Sequence, residues 1–158
     1  MGGVLLSLTT GTQMLHVPYK GAILGLADVI RGHVDSMFVA ASAALPQVKS
    51  GKIRALAVAS PRRTASLPDL PTFAEAGYSG VEVESRYGIL GPGALPRELV
   101  ARLNAAIGRA LTSPDVRERY AQQGLEATPG GATEYQTWLR EDIAKWRRVV
   151  ASAKIRAD

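Results

Sequence analysis

The sequence contains no cysteine, which excludes a disulfide framework, a thiolate nucleophile and zinc sites built on cysteine ligands. Aromatic residues make up only 6% of the chain, which argues against an aromatic-rich β-sandwich and suits small residues packed between helices and a sheet. The opening residues MGGVLLSL have no positively charged region, and their apolar run is too short for a secretory signal or a membrane span. We therefore expect no export signal within this sequence.

Catalytic signatures are also missing. The sequence has no Walker loop, no G-x-S-x-G elbow, no G-x-G-x-x-G loop and no H-E-x-x-H pair. Its two histidines are His16 and His33, and Asp35 follows the second of them. A metal site or an acid–base pair is conceivable there, but we interpret both histidines as isolated surface or packing residues. The sequence thus predicts no enzyme activity, no catalytic residue, no metal site and no cofactor.

The residues that are present fit one globular core of the α/β class. The chain has 158 residues, of which 46% are hydrophobic and 21% are charged. Its net charge of +5 favours acidic partners, which include nucleic acid, anionic lipid and small carboxylates. Basic and acidic residues alternate in the second half of the chain, which indicates a solvated helix surface rather than a nucleic-acid-binding stripe.

The first half of the sequence predicts alternating strands and helices. Pro18 favours an extended conformation before it, and Gly32 and Gly51 favour helix ends. The apolar run at 53–59 is typical of a strand covered on both faces within a parallel sheet. The predicted order is strand 16–19, helix 22–31, strand 34–39, helix 41–50 and strand 53–59.

The second half turns helical after one more strand. Thr72 and Glu75 have the spacing of a capping box for a short helix that ends at Gly77, and residues 81–90 alternate as a strand with one wetter face. We then expect three helices, which begin near Pro96, at Ser113 as cap, and at a capping box of Thr133 with Gln136. Their predicted buried faces carry Leu99, Leu103, Ile107 and Leu111, and then Tyr135, Leu139, Ile143, Trp146 and Val150.

The junction from Tyr19 to Ile23 is the candidate binding feature of the sequence. Here a strand passes through Gly21 into a helix whose first amides lack partners inside the helix, and such a terminus attracts anions. Alternatively, Gly21 only permits a sharp turn and the amides face water. Spacing alone favours the second interpretation.

Eight short blocks of this sequence occur in the same order and spacing in one protein family. They are 16–21 (HVPYKG), 34–38 (VDSMF), 44–46 (ALP), 51–58 (GKIRALAV), 67–77 (LPDLPTFAEAG), 87–92 (YGILGP), Leu103 with Asn104, and Trp146. Together they span nearly all of residues 13–155. The chain resembles the receptors of tripartite tricarboxylate transporters, also called Bug proteins.

The resemblance implies a partial periplasmic-binding-protein fold of type II. Such receptors have two α/β domains that close over a small carboxylate, and they deliver it to membrane transporter subunits or act as sensors. Residues 13–90 would be the βαβαβ ligand-binding domain, which is the second domain of the receptor. Residues 91–158 would be helices that normally pack on a first domain, which this sequence does not encode because the family chain is about twice as long. A periplasmic location is implied by the resemblance alone.

The same resemblance implies the binding residues. Backbone amides of the glycine turn would meet a ligand carboxylate, and that turn comprises Tyr19, Lys20, Gly21, Ala22 and Ile23. The next strand-to-helix turn, with Ala40 and Ser42, is added on the general ground that ligands of open α/β sheets bind at this sheet edge. The Ser42 hydroxyl would either donate to ligand, or only cap its helix or be exposed.

Arg86 and Tyr87 fall near the expected crossing between domains, where they would contact ligand or act as a hinge. Three positions depart from the family pattern. Val39 stands where members often have aspartate, Ile23 where a small or polar residue precedes proline, and Arg86 where an aromatic residue is frequent. These departures affect the polarity of the expected pocket.

A half receptor would expose the apolar stripes of its last helices, which predicts a homodimer or higher self-association, for example by exchange of those helices. An alternative function is a ligand-sensing or protein-interaction domain with no transport role. Nucleic-acid binding is disfavoured, because no recognition motif accompanies the positive charge.

Overall fold

The computed structural model describes residues 1–153, so residues 154–158 of the predicted helical segment lie outside the described residues. Within that range the chain forms α1 (Gly2–Thr10), α2 (Ala22–Ile30), α3 (Ala41–Lys49), α4 (Arg97–Thr112), α5 (Pro114–Gln122) and α6 (Ala132–Ser152). Helices α2 to α6 match the predicted ones to within a few residues, whereas α1 was not predicted. None of the described helices combines the length and the apolar character needed to cross a membrane.

Backbone contacts divide the chain into two units. The first comprises Met1–Ser85 with Gln123–Leu125, and the second comprises Arg86–Gln122 with residues 126–153. The first unit holds α1 to α3, and the second holds α4 to α6.

Packing in the first unit begins at its amino terminus. Gly2 is buried against the ring of Phe38, so closely that a methyl group at Gly2 would overlap that ring. The Phe38 ring in turn stacks on Phe73, with centroids 5.6 Å apart. Helix α1 ends at Gly11, which adopts a left-handed conformation with φ 70° and donates its amide to Ser7 O. These contacts join α1 to the segment at Phe38 and, through Phe38, to the segment at Phe73.

The predicted strands do not form a hydrogen-bonded sheet among the described residues. A single parallel bridge pairs Val58 with Thr72, and the Val83 amide donates to Ala59 O at 2.7 Å. Leu56, expected in a strand covered on both faces, is 64% exposed. The strand predictions at 16–19, 34–39 and 81–90 are therefore wrong as ladder elements. Apolar alternation reports which side of a segment avoids water, but it does not say whether a neighbouring segment comes within hydrogen-bonding distance.

The turn after Pro71 confirms the predicted capping box. Glu75 N donates to Thr72 Oγ1 at 3.1 Å, while Thr72 N donates to Glu75 Oε2 at 2.8 Å. Arg63 Nε donates to the same carboxylate at 2.9 Å. These two donors, the Thr72 amide first, hold the pKa of Glu75 below its usual value. The box closes one turn that ends at Gly77, and no full helix forms there.

The helix starts observed in the second unit agree with the predicted ones only in part. Ser113 separates α4 from α5 as expected, and its side-chain hydrogen bond is the main cause of the lowered pKa of Asp115. The capping box predicted at Thr133 is wrong, because α6 begins at Ala132 with Gly131 as its cap and no side-chain cap bond. Thr133 already lies inside the helix, beyond the position from which a hydroxyl caps it.

The predicted apolar stripes of α4 and α6 are partly exposed. Leu103 is 47% exposed and Ile143 is 44% exposed, and α4 has no buried residue. In α6 the buried residue is Val149, at 8% exposure, whereas the predicted Val150 is 37% exposed. Near the carboxyl end of α6, the buried position is therefore Val149, one residue before the predicted Val150. These helices keep apolar side chains in contact with solvent.

Candidate ligand-binding site

The junction between Tyr19 and Ile23 is open to solvent. All of its residues are exposed, and Ile23 is 77% exposed. Helix α2 starts at Ala22 without a side-chain cap bond, and its first amides find no acceptor in the part of the chain that the structure describes. Uncapped amides at a helix start carry partial positive charge. The junction is therefore an exposed anion-attracting helix terminus.

Gly21 does not need to be glycine for its backbone conformation. Its φ of 176° and ψ of 155° are extended values that any residue adopts. A methyl group built on Gly21 would meet no atom within 4 Å. The chain bends at Lys20 and Gly21, as the alternative interpretation expects, but this bend does not require glycine, and the space above the junction is free.

The charge around this junction favours an anion. Lys20 is exposed beside the helix start, and α2 has no acidic residue in its first turn. Nothing at the terminus itself therefore competes for the amides, and a cationic side chain adds to their attraction for a carboxylate.

Tyr19 is fixed to α2 by its side chain. Its hydroxyl donates to Asp28 Oδ2 at 2.8 Å, and its ring lies over Gly25, where an added methyl group would come within 3.2 Å of Tyr19 Cδ2. The hydrogen bond is the main cause of a raised pKa of Tyr19 and of a lowered pKa of Asp28. Two contacts therefore attach Tyr19, the first residue of the junction, to α2.

Asp28 also lies beside two basic side chains. Arg31 Nη1 and His33 Nδ1 each lie 3.5 Å from Asp28 Oδ1. His33 therefore lies beside Asp28, and the interpretation of His33 as an isolated residue is wrong. His16 is exposed.

The start of α3 forms a second, more enclosed terminus. Ala40 caps it with an extended backbone and no side-chain bond. Gly124, in a left-handed conformation with φ 70°, lies against it, and a methyl group there would be 3.5 Å from Ser42 N. Ser42 is half-buried, and its hydroxyl forms no hydrogen bond with any described residue. This terminus is narrower than that of α2 but retains a free hydroxyl.

Met37 and Tyr19 pack against the same position of α2. The Met37 methyl carbon and the Tyr19 ring both approach Gly25, at 3.5 Å and 3.2 Å from the position of an added methyl group. The segments that lead into α2 and α3 therefore both lie against the same face of α2, and each helix begins a few residues later. This is the placement expected of a βαβ unit, although no strand ladder forms within residues 1–153.

Arg86 and Tyr87 belong to the second unit. The Arg86 guanidinium carbon lies 5.0 Å from the centroid of the Trp138 ring, and Gly88 is close against Tyr135. Tyr87 is 76% exposed. Ligand contact or hinge action by these two residues stays a prediction.

Sequence reasoning missed three residues that shape these termini, namely Gly25, Asp28 and Gly124. Gly25 and Asp28 are three positions apart and so share a helix face, which is a readable signal once Tyr19 is placed opposite them. Gly124 has no local signal for its role, because its neighbours at α3 are distant in the sequence.

Comparisons with known proteins agree on one family. The sequence matches the family described as tripartite tricarboxylate transporter family receptor over residues 3–155. A UPF0065 protein from the tcbD-tcbE intergenic region of Pseudomonas sp. (strain P51) is 34% identical over 160 residues, which cover 100% of this chain and 47% of that protein. A UPF0065 protein from the clcB-clcD intergenic region of Pseudomonas knackmussii is 31% identical, over 98% of this chain and 92% of that shorter protein.

Solved structures give the same result. An R. palustris protein with adipate has a TM-score of 0.85 and 32% identity, over 98% of this chain and 52% of that one. A protein described as a periplasmic transporter has the same score and identity, over 99% of this chain and 52% of its own. MatC from Rhodopseudomonas palustris, with bound malate, has a TM-score of 0.76 and 32% identity, over 94% of this chain and 52% of MatC. The chain therefore spans about half the length of most proteins it resembles.

Proposed function

The chain belongs to the tripartite tricarboxylate transporter family of receptors, and from this we propose that it binds small carboxylates at the exposed amino terminus of α2. The binding groups are the amides at Gly21, Ala22 and Ile23, assisted by the charge of Lys20. The single observation that carries the proposal is that these amides are exposed and uncapped, with free space above Gly21.

Similar proteins support the chemical class of the ligand. One was solved with adipate and another with bound malate, and both compounds are dicarboxylates. A dicarboxylate presents two anionic ends, and the first unit has two uncapped helix starts on segments that share α2. We infer that one carboxylate meets the α2 amides and that Ser42, at the α3 start near Ala40, donates to the rest of the ligand.

The proposed role is delivery of the ligand within a tripartite uptake system, without catalysis. The family description supports a receptor, and one similar structure is described as a periplasmic transporter. We therefore propose a periplasmic location and membrane transporter subunits as the eventual partners.

Affinity should be low for the chain alone. A carboxylate held mainly by the exposed terminus keeps much of its water, since tight sites bury most of the ligand surface. Binding should weaken further with added salt, because the attraction is electrostatic and the site is exposed.

We also propose that the chain associates with itself. Helices α4 and α6 expose Leu103 and Ile143 by nearly half of each side chain, and neighbouring turns carry Leu99 and Val150, also exposed. Monomeric proteins rarely leave such helix faces uncovered. A second copy could cover them.

Calorimetric titration with adipate, malate and citrate tests the binding function. Dimethyl adipate is the matched control, because it keeps the carbon chain but lacks both charges. Binding of the acids without binding of the diester supports the proposal. Equal heats for acid and diester, or a thermal shift with nucleic acid and with none of the acids, would reject it.

A further inference from the structure

Asp28 makes the contact that fixes the conformation of the candidate site. The Tyr19 hydroxyl donates to Asp28 Oδ2 at 2.8 Å. Tyr19 is the first residue of the Tyr19–Ile23 junction, and Asp28 lies inside α2, the helix that follows. The hydrogen bond therefore closes a short loop of chain around the open amides.

We propose that Asp28 is a positioning residue for carboxylate binding, which holds the Tyr19–Ile23 junction in the conformation that presents its amides. This inference rests on the proposed carboxylate function. It assigns to Asp28 a role that neither its position in the sequence nor a direct contact with ligand would suggest.

Asp28 is itself held in one orientation. Its Oδ1 lies 3.5 Å from both Arg31 Nη1 and His33 Nδ1, which leaves Oδ2 for Tyr19. Its side chain is 27% exposed, so it is enclosed more than a surface carboxylate. The Tyr19 hydrogen bond favours the ionised form of Asp28 and is the first cause of its lowered pKa.

Direct electrostatics cannot give Asp28 a favourable role. It lies six residues beyond Ala22, which is about 9 Å along a helix axis. Its negative charge would repel a bound carboxylate, weakly at that distance in salt. A loss of affinity on removal of Asp28 would therefore not come from a direct attraction between Asp28 and the ligand.

Gly25 supplies the room that this contact requires. The Tyr19 ring passes over it at a distance that would leave 3.2 Å to an added methyl group, and Met37 Cε lies on the same spot at 3.5 Å. A methyl group at position 25 would force the Tyr19 ring to shift by a few tenths of an ångström. Gly25 and Asp28, one helical turn apart, thus contact the ring and the hydroxyl of Tyr19, respectively.

Three variants of the full chain separate positioning from charge. Asp28→Ala removes the acceptor and the charge, Asp28→Asn removes the charge and keeps a carbonyl acceptor, and Tyr19→Phe removes the donor. Asp35→Ala is the matched control, because Asp35 is an exposed aspartate of the same unit with no hydrogen bond or ion pair among the described residues. Each is titrated with adipate and with malate.

Positioning predicts a specific pattern. Asp28→Ala and Tyr19→Phe should each weaken binding about tenfold, the size expected for one hydrogen bond to a charged group. The double variant should be no weaker than either single one, because both changes break the same bond. Asp28→Asn should recover most of the affinity, and Asp35→Ala should leave it unchanged.

Other results overturn the inference. If charge dominates, both Asp28 variants will bind the acids more tightly than the wild type. If Asp28 only adds stability, the melting temperature will fall while the affinity, measured well below it, stays within twofold. In either case the carboxylate function stands and the positioning role does not.

A measurement without ligand keeps the two proposals distinct. Backbone order parameters at Gly21 and Ala22 should fall in Asp28→Ala from rigid values near 0.85 towards about 0.6, and should stay high in Asp28→Asn. If the wild type binds no acid, the carboxylate function fails, and these order parameters alone then decide whether Asp28 orders the junction. Unchanged order parameters in Asp28→Ala would overturn the inference.

Discussion

Phe38 and Phe73 stack with their ring centroids 5.6 Å apart and their planes 13° from parallel. Phe38 belongs to the segment that leads into α3, and Phe73 follows the bridge between Val58 and Thr72. The pair therefore joins parts of the first unit that few backbone hydrogen bonds connect. Where a sheet ladder is absent, such side-chain contacts carry more of the stability.

The stacked pair should be sensitive to truncation. Phe73→Ala removes a half-buried ring, and we expect it to lower the free energy of unfolding by about 2 kcal/mol, less than for a fully buried phenylalanine. Phe73→Leu should cost less, because it keeps apolar contact with Phe38. Urea denaturation followed by circular dichroism measures both. A change below about 0.5 kcal/mol in Phe73→Ala, the range of ordinary surface substitutions, would contradict the role given to this pair.

Glu75 should make stability depend on acid pH. Its pKa is lowered by the Thr72 amide and by Arg63, so the folded state prefers the ionised form. The stabilisation is therefore present above the unfolded pKa of about 4.3 and is lost as pH falls through the lower folded value. Wild type and Glu75→Gln should differ in unfolding free energy at pH 7, and the difference should shrink as the pH falls through the lowered pKa of Glu75.

Glu126→Gln is the control for this effect. Glu126 is exposed, and no ion pair or hydrogen bond of its side chain occurs in the described range. A constant gap between the wild type and Glu75→Gln from pH 7 to pH 3 would show that the capping interaction does not depend on ionisation.

Negative charge at the α2 terminus should abolish carboxylate binding. Ala22→Asp places a carboxylate beside the open amides, where it competes with the ligand and repels it. We expect at least a tenfold loss of adipate affinity, with stability unchanged or slightly raised, because an acidic first turn favours the helix. Ala22→Asn is the isosteric control and should keep most of the affinity. Unchanged binding in Ala22→Asp would remove residues 19–23 from the site.

Self-association should depend on the exposed faces of the last helices. Ile143→Glu puts a charge in the apolar face of α6, and we expect it to shift the protein towards monomer, because a charge in an apolar interface is costly to desolvate. Light scattering coupled to size exclusion measures this shift. Gln136→Glu, at an exposed position of the same helix, should leave the association unchanged. A wild type that is monomeric at working concentration would reject the proposal.

The helices were predictable because their signals are local. Pro96 fixes the start of α4, and the apolar spacing within α2 and α3 is contained in single segments. Helix α1 was missed, because its opening residues were weighed only as a signal segment. The strands failed for a different reason, since pairing depends on segments far apart in sequence. Among residues 1–153 only Val58, Ala59 and their partners come close enough.

The sequence predicted the location of the candidate site but not the side-chain contact that holds it. The open terminus at Gly21 follows from the order of elements, and the structure agrees that it is exposed. The sequence could not show that the bend at Gly21 is open to any residue, because dihedral angles cannot be inferred from composition around a turn. Asp28 went unnoticed, since a side-chain hydrogen bond from Tyr19 depends on where the preceding segment lies against the helix.

Gly124 shows that the first unit is not one continuous stretch of chain. Residues 123–125 return to it between α5 and α6, and Gly124 lies against the backbone of Ala41 and Ser42. A fragment truncated after Ser85 would therefore lack the residue that shields the start of α3. Anyone who dissects this protein into autonomous pieces must keep the 123–125 tripeptide with the amino-terminal part, for instance by grafting it through a short linker.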